Sequence, residues 1–424
     1  MDFPLTIKQQ KLIELVRELG QEKFAPRAFW YDQTASFPFE NYQDLREHGL
    51  LALTIPEQYG GLGADFPTYC LVAAEIGRYC GATALTYNMH TCSLLWMGIL
   101  SNDLPMQEYQ WVQHQYYRQE HFRRVVEEGA IYAQPISEEG AGVSLGKTYQ
   151  TKARKVDGGW IINGKKVFAS LSGAANYYGV ICTKVKENAT LNDSLYLAIP
   201  ANAEGVKVVG DWNPVGMRAT VSRTLIFDNV FVPDNAQLLP ENLYFQMTKI
   251  WPHMFLTLTP TYVGIAQAAY DFTVKYLRGE IEGIAPIKRR QDTTKQYAVA
   301  EMFIKLEQMK SLFYRAIHDA KANPSKAEML RAYATNYTVM EYANELCSLA
   351  LRVCGGQALL KSLPLERLYR DSICGSVMRP WSIDRCLEKL GRETLYEIGE
   401  TDENTTFIPD VLVTSNHFPA RAIN

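Results

Sequence analysis

Apolar side chains recur along the first part of the chain with the period of an α-helix. Between residues 6 and about 128 they fall three or four positions apart, as at Leu12, Leu15, Val16 and Leu19. This spacing puts them on one face of a helix. We therefore predict an N-terminal helical domain over residues 1–128.

The period changes to two in the middle of the chain. Short apolar runs such as YYGVICTKV and SLYLAIP are separated by Gly, Asn and Asp between residues 130 and 233, which is typical of strands joined by turns. The segment WIINGKKVFASLSGAA, from Trp160 to Ala175, contains an Asn-Gly pair and predicts a hairpin. We predict a β domain over residues 129–240.

Helical spacing then returns in long segments, one of which runs from Trp251 to Leu277. Such segments are long enough to form a bundle, predicted over residues 241–395, and to pack against copies of the chain. Residues 396–424 are polar and predict a surface tail.

Composition and charge exclude several classes of partner. The 424 residues carry a formal net charge of −3, and no run of Lys and Arg offers a surface to nucleic acid. The start, MDFPLTIKQQ, lacks a secretory signal, and no stretch reaches the roughly 18 apolar residues that span a membrane. The eight cysteines form no CxxC pair, which favours reduced core thiols over disulfides or a metal site. We expect a cytoplasmic protein without nucleic-acid or membrane partners.

A glycine-rich segment, QPISEEGAGVSLG, follows a predicted strand. Gly140 and Gly142 would let backbone N–H groups approach an anion or the edge of a flat ring, and Ser137 and Ser144 add hydroxyls. The same residues also suit a plain β turn, so this segment alone does not decide between the two.

Further segments occur in an order that resembles one family. LLALTIPEQYGGLGADFPTYCLVAAEIGR, WIINGKKVFASLSGAA, GMRATVSRTLIFDNVFVP and CGGQALLKSLPLERLYRD follow one another with the spacing of the acyl-CoA dehydrogenase family, and the resemblance covers about residues 6–395. It implies an α+β fold: an N-terminal helical domain, a central β-barrel-like domain and a C-terminal four-helix bundle. It also implies FAD bound between the domains and completed by a neighbouring subunit of a homodimer or homotetramer.

The resemblance also implies which residues hold the flavin ring. Ile136 and Ser137 would meet the ring edge, and Gly142 belongs to the glycine turn beside them. Phe168 takes the place of the usual Trp, and Ser170 takes the place of a hydroxyl that bonds near the flavin N5.

The resemblance further implies that Gly355, Gly356 and Gln357 receive the adenosine diphosphate half of FAD from a neighbouring chain. Paired glycines suit this role, since they let a backbone approach a pyrophosphate closely. The family's Arg-Gln-Phe-Gly clamp is replaced by LRGEIEGIAPIKRRQ. Three arginines either replace the clamp or are ordinary surface charges: Arg278, Arg289 and Arg290.

The catalytic carboxylate of the family is missing. In most members a Glu stands eight residues after the Asp of "YRD", and here that count from Asp371 reaches Arg379. In other members the base precedes the "GIAQ" element, where this chain has Met254, flanked by His253 and Phe255 in place of an Asp and a CoA-holding Arg. A guanidinium stays protonated and cannot abstract a proton.

Two histidines and one arginine are candidates for a catalytic role in place of the missing carboxylate. His253 or His90 could act as a general base, or each could be a buried, hydrogen-bonded histidine. Arg379 could bind an anionic substrate or stabilise negative charge, or it could form a salt bridge with Asp371 or Asp384.

Three alternative functions follow from these observations. The first is an FAD-dependent oxidoreductase that acts on the CH–CH group of an acyl thioester or related small molecule with a displaced base. The second is a flavin-dependent monooxygenase on the same fold, and the third is a non-catalytic assembly partner. The flavin-facing residues implied by the resemblance argue against the third.

Overall fold

Helices dominate the N-terminal part of the protein. The computed structural model describes residues 4–141, 147–379, 381–396 and 400. In the N-terminal part the α-helices are α1 (Ile7–Leu19), α2 (Ala25–Thr34), α3 (Phe39–Glu47), α4 (Phe66–Tyr79), α5 (Gly81–Met97) and α6 (Glu108–Arg123). α4 begins where the Asp65 side chain accepts a hydrogen bond from Thr68 N, which satisfies one free N–H of the first turn.

The middle of the chain forms one eight-stranded sheet. Its strands are β1 (Tyr132–Ala133), β2 (Lys152–Val156), β3 (Gly159–Ala169), β4 (Tyr177–Lys184), β5 (Ser194–Pro200), β6 (Val206–Val209), β7 (Arg223–Pro233) and β8 (Gln237–Leu239). They lie in the order β6-β7-β3-β2-β4-β5-β8, and β1 pairs with β4. β1 and β2 run parallel to β4, and the remaining pairs are antiparallel.

The hairpin predicted at the Asn-Gly pair is wrong. β3 continues through Asn163 and Gly164, and the turn that joins β2 to β3 lies at Asp157 and Gly158. Gly164 instead follows a break in the register with β7, where a Cβ on it would lie 2.6 Å from Thr151 Cα. The glycine is needed for close approach to a neighbouring segment, which is the usual reason for a glycine at a bulge.

The C-terminal part is also helical and contains the three longest helices described. Its helices are α7 (Tyr244–Ile250), α8 (Thr259–Arg278), α9 (Thr293–Asp319), α10 (Lys326–Cys354), α11 (Pro364–Ser376) and α12 (Ile383–Leu395). α10 is central, because it packs against α8, α9, α11 and α12. The continuous helix predicted from Trp251 is wrong in its first part, since residues Pro252–Leu258 form a 3₁₀-helix. Pro260 lacks an N–H and its ring would clash with an α-helical carbonyl four residues earlier, so α8 begins just before it.

The two helical parts meet where α4 crosses α8. A Cβ on Gly264 would lie 2.2 Å from Ala74 O, and one on Gly77 would lie 2.7 Å from Thr261 O. The two glycines therefore let the helix backbones touch. Within the described part of the chain, no helix is both long and apolar enough to cross a membrane.

Candidate functional site

The segment that begins at Ile136 lies beside the end of β3. Val167 N donates a hydrogen bond to Ser137 O at 2.9 Å. Ile136 and Ser137 are both half-buried, and Ile136 packs on the core. Gly142 lies outside the described residues, so its role stays a prediction. The two segments together form one edge of the candidate site.

A buried ion pair fixes this edge, and sequence reasoning missed it. Lys166 Nζ lies 2.8 Å from Glu138 Oε1, and both side chains are almost completely buried. Lys166 also donates to Ile181 O, and Glu138 accepts from the backbone and hydroxyl of Thr151. Burial lowers the pKa of Lys166 although Glu138 opposes the shift. Burial would raise the pKa of Glu138, but Lys166 and the hydrogen-bond donors outweigh it and lower that pKa.

Phe168 presents an aromatic ring beside this edge. Its side chain is 72% exposed and its backbone has a φ of 51°, a region that non-glycine residues seldom adopt. Its ring meets the Trp212 ring edge-on, with centroids 6.4 Å apart. The Trp212 indole nitrogen is buried and has no hydrogen-bond partner in the part of the chain that the structure describes. An exposed ring on a strained backbone next to an unpaired donor is typical of a ligand site.

Ser170 continues the same edge. It is half-buried, and its Oγ lies 2.8 Å from Ser222 Oγ, which in turn lies 2.7 Å from Thr220 Oγ1. Ser222 and Thr220 belong to the GMRATVSRT segment, but sequence reasoning did not single out either hydroxyl. Their separation from Ser170 along the chain gives no signal of contact.

The glycine pair after α10 is open. Gly355 has a φ of 81°, and a Cβ on Gly355 or Gly356 would meet no described atom within 4 Å. The exposed Gln357 accepts a hydrogen bond from the Tyr276 hydroxyl at 2.9 Å. Such an uncovered backbone turn fits a phosphate group.

One of the three candidate arginines lies beside this turn. The Arg289 guanidinium stacks over the Tyr276 ring at 4.8 Å, and its charge is one of those that act on Cys354. Arg278 instead pairs with Glu280 at 2.7 Å, and Arg290 is exposed. Arg289 is therefore the candidate that the geometry favours.

Arg379 lies in a turn after the end of α11 and is exposed. Among the described residues it forms no ion pair with Asp371 or Asp384. Asp371 is buried and accepts a hydrogen bond from Met217 N at 2.6 Å. The salt-bridge alternative with these two residues therefore finds no support, and the guanidinium remains available to a ligand.

His90 lies in the core of the N-terminal part. Its Nε2–H donates to Leu51 O at 2.8 Å, and its Nδ1 accepts from Tyr132 N at 3.0 Å. Burial lowers its pKa to about 4. Because both ring nitrogens are bound by backbone groups, the structure gives His90 the position of a hydrogen-bonded core histidine, not of a free base.

His253 is also completely buried, in the 3₁₀-helix that packs against α5, α7, α8 and α10. Among the described residues neither ring nitrogen makes a hydrogen bond of good geometry, although the Lys321 backbone lies near enough to act on the pKa of the ring. Burial lowers its pKa, and the charged groups that act on it are Glu328, Asp319 and Lys321 at the α9–α10 connection. Its surroundings are those of the helical bundle and not of the strand edge described above.

An aromatic stack occupies the position where the resemblance implies a CoA-holding Arg. The Phe255 ring contacts the rings of Tyr333 and Trp381, with centroid distances of 5.3 Å and 4.7 Å, and those two rings are themselves 6.2 Å apart. Phe255 is buried. The stack offers no cation to a CoA phosphate at this position.

Sequence comparison identifies three domains of one family along the chain. The acyl-CoA dehydrogenase N-terminal domain matches residues 6–103, the middle domain residues 133–230 and the C-terminal domain residues 253–379. The chain belongs to the acyl-CoA dehydrogenase family, whose members are flavoprotein oxidoreductases.

Relatives and solved structures agree on this fold. The probable acyl-CoA dehydrogenase YngJ of Bacillus subtilis is 27% identical over 88% of this chain and 94% of its own. Butyryl-CoA dehydrogenase from Megasphaera elsdenii superposes with a TM-score of 0.79 at 21% identity, over 93% of this chain and 100% of that chain. FMN-bound TdsC from Paenibacillus sp. A11-2 superposes with a TM-score of 0.78 at 21% identity, over 91% and 97%.

The residues present fit a flavin. The exposed Phe168 ring, the Ser170 hydroxyl and the unpaired Trp212 donor suit the ring, and the open glycine turn with Arg289 suits a phosphate.

Proposed function

We propose that the protein is an FAD-dependent oxidoreductase whose reaction needs no protein carboxylate as base, as in a flavin-dependent monooxygenase. The observation that carries the proposal is the set of side chains at the three candidate base positions. Arg379 is an exposed cation, His253 is buried and His90 is held by two backbone hydrogen bonds. None of the three offers an accessible proton acceptor.

The chain's own residues have separate tasks in this proposal. Ile136, Ser137 and Phe168 hold the ring, and Gly355, Gly356 and Gln357 hold the diphosphate with Arg289. When bound, the flavin supplies two-electron chemistry and, once reduced, reaction with O₂. Arg379 binds an anionic group of a small-molecule substrate or stabilises negative charge, because a guanidinium keeps its charge and offers paired N–H donors.

The glycine turn and the arginine expected at the diphosphate favour FAD over FMN as the cofactor. FMN lacks the adenosine half, so the open turn at Gly355 and the Arg289 guanidinium would have no ligand in an FMN enzyme. A homodimer or homotetramer and a cytoplasmic location remain predictions that come with the family.

A second candidate function is dehydrogenation of an acyl thioester with a displaced base. It is favoured by the curated relatives, several of which are named acyl-CoA dehydrogenases. The aromatic stack at Phe255 argues against CoA, since its rings replace the cation that the resemblance implies at this position.

Anaerobic mixing separates the two candidates. The FAD-loaded protein is mixed without O₂ with short-, medium- and long-chain acyl-CoA thioesters, and the flavin absorbance is followed. We expect no bleaching, and we expect rapid reoxidation when the chemically reduced protein meets O₂. Bleaching by any of the thioesters would establish the second candidate instead.

The variant Arg379→Glu tests whether only the base is missing. Because the surroundings at Phe255 differ as well, we expect this variant to gain no acyl-CoA turnover. Arg154→Glu, at an exposed arginine of β2, is the charge-matched control. Strong acyl-CoA turnover by Arg379→Glu alone would contradict the proposal.

A further inference from the structure

Three hydroxyl groups form a continuous chain that ends at the ligand edge. Thr220 Oγ1 lies 2.9 Å from Met217 O, Ser222 Oγ lies 2.7 Å from Thr220 Oγ1, and Ser170 Oγ lies 2.8 Å from Ser222 Oγ. Thr220 and Ser222 are buried, and Ser170 is half-buried. The chain therefore begins inside the protein at a backbone carbonyl and ends at Ser170.

The carbonyl determines the direction of every bond in this chain. A carbonyl oxygen can only accept, so Thr220 donates its one proton to Met217 O. Ser222 must then donate to Thr220, and Ser170 must donate to Ser222, because a reversed bond would place two lone pairs face to face at 2.7–2.8 Å. Ser170 thus has no proton left, and its oxygen offers only lone pairs to a ligand.

The backbone around this chain is fixed in an uncommon conformation. Met217 and Val221 have φ values of 51° and 44°, and for β-branched Val221 such a value is a genuine outlier. Leu171 N donates to Thr220 O at 3.0 Å, and the Ser172 hydroxyl donates to Val221 O. The segment is therefore tied to the two residues that follow Ser170, and strain of this kind is found mostly at functional sites.

We propose that the Ser170–Ser222–Thr220 chain makes Ser170 an obligate hydrogen-bond acceptor, which favours the reduced flavin over the oxidised one. This inference rests on the proposed function and on the position that the family resemblance implies for the Ser170 hydroxyl, near the flavin N5. In the oxidised ring N5 carries a lone pair and can only accept. Addition of two electrons and a proton at N5 turns it into an N–H donor, which matches the lone pairs of Ser170. Ser170, Ser222 and Thr220 are positioning residues in this account.

Ser222→Ala breaks the chain while it leaves Ser170 in place. The Ser170 hydroxyl is then free to donate to the oxidised N5 or to accept from the reduced one. We expect the variant to bind oxidised FAD about tenfold more tightly and reduced FAD with unchanged affinity. A tenfold change corresponds to a midpoint potential lower by about 30 mV for a two-electron couple. The potential is measured by titration with dithionite and a reference dye.

Other variants distinguish this role from a merely structural one. Ser222→Thr retains the hydroxyl and is expected to keep the wild-type potential. Ser170→Ala is expected to lower the affinity for reduced FAD, and Ser222→Ala should have no further effect on the potential in that background. Ser36→Ala, at a hydroxyl in the N-terminal part, is the control.

The outcomes separate the inference from the proposed function. If the wild-type protein binds FAD but Ser222→Ala leaves its potential within about 5 mV, which corresponds to a change of less than about twofold in relative affinity, the inference is overturned and the proposed function stands. If the wild-type protein binds no flavin, both fail. A potential that rises in Ser222→Ala contradicts the hydrogen-bond direction derived above.

Discussion

The buried carboxylate of Asp371 accepts a hydrogen bond from the backbone N–H of Met217 at 2.6 Å. This contact ties α11 to the segment that carries Thr220 and Ser222. At the same place Gly216 approaches α11 so closely that a Cβ on it would lie 2.0 Å from Arg370 O. Arg370 in turn pairs with Asp32 of α2 at 2.7 Å, so three parts of the chain meet here.

Asp371 makes the stability of this junction depend on pH. Burial raises its pKa from 3.8 to about 6, although Met217 N opposes the shift. Between pH 3.8 and about pH 6 the carboxyl is protonated in the folded protein and ionised in the unfolded chain. The contribution of this group to stability is therefore complete below pH 3.8 and is lost as the pH rises through about 6. We expect Asp371→Asn, which retains the acceptor oxygen, to be more stable than the wild type at pH 7 by about 1–3 kcal/mol.

Urea unfolding at several pH values measures this difference. The gain should shrink towards zero as the pH falls below 3.8, where the wild-type carboxyl becomes protonated in the unfolded state as well. Asp211→Asn, at an exposed aspartate of the β domain, serves as the control. A gain that does not change with pH would show that titration of Asp371 is not its cause.

The Glu138–Lys166 ion pair should be far more important for stability than an exposed one. Removal of one partner leaves a buried charge without compensation, so Lys166→Met is expected to lower the free energy of unfolding by about 3–5 kcal/mol. Lys207→Met breaks the exposed pair with Asp228 and should cost at most about 1 kcal/mol. Chemical denaturation of both variants makes the comparison, and equal losses would refute the special role of the buried pair.

Arg289 should distinguish FAD from FMN. Loss of a hydrogen bond to a charged group costs about 1.5–3 kcal/mol, so Arg289→Ala is expected to weaken FAD binding about 10- to 100-fold and to leave FMN binding unchanged. Arg290→Ala is the control, since Arg290 is exposed and does not stack on Tyr276. Isothermal titration of the apoprotein with each flavin provides the test. An equal loss of affinity for both flavins would show that Arg289 does not bind the adenosine diphosphate half of FAD.

His90 should respond to acid as a core histidine does. Its pKa is lowered to about 4 by burial, so its contribution to stability is full above about pH 6.5 and is lost as pH falls towards 4. We expect His90→Gln to show a flatter dependence of stability on pH in this window, whereas His48→Gln, at an exposed histidine, should not. A His90 resonance that titrates near pH 7 in an NMR experiment would instead support the base.

Much of the fold could be predicted because it depends on local patterns. The apolar positions of α4 and the Asp65 cap are visible in the sequence, as are the short apolar runs that form β4 and β5, where nearly every residue is buried. The hairpin at Asn163 was wrong because β3 continues through this residue between β2 and β7, and a local turn signal carries no information on the distant strand β7.

The candidate site could be predicted only where one residue acts alone. The absence of a carboxylate at Arg379 follows from a count along the chain. The Lys166–Glu138 pair and the Ser170–Ser222 contact join residues 28 and 52 positions apart, and their chemistry arises only when the strands are in register. The choice of Arg289 among three arginines likewise required the position of Tyr276.

A crystal structure of the FAD-loaded protein tests the central claim most directly. It measures the distance from each Asp and Glu oxygen to the open face of the flavin ring. We predict that no carboxylate lies within about 4 Å of that face and that Arg379 is the charged side chain nearest to it. A carboxylate in contact with the ring, or a crevice filled by the protein's own side chains, would contradict the account.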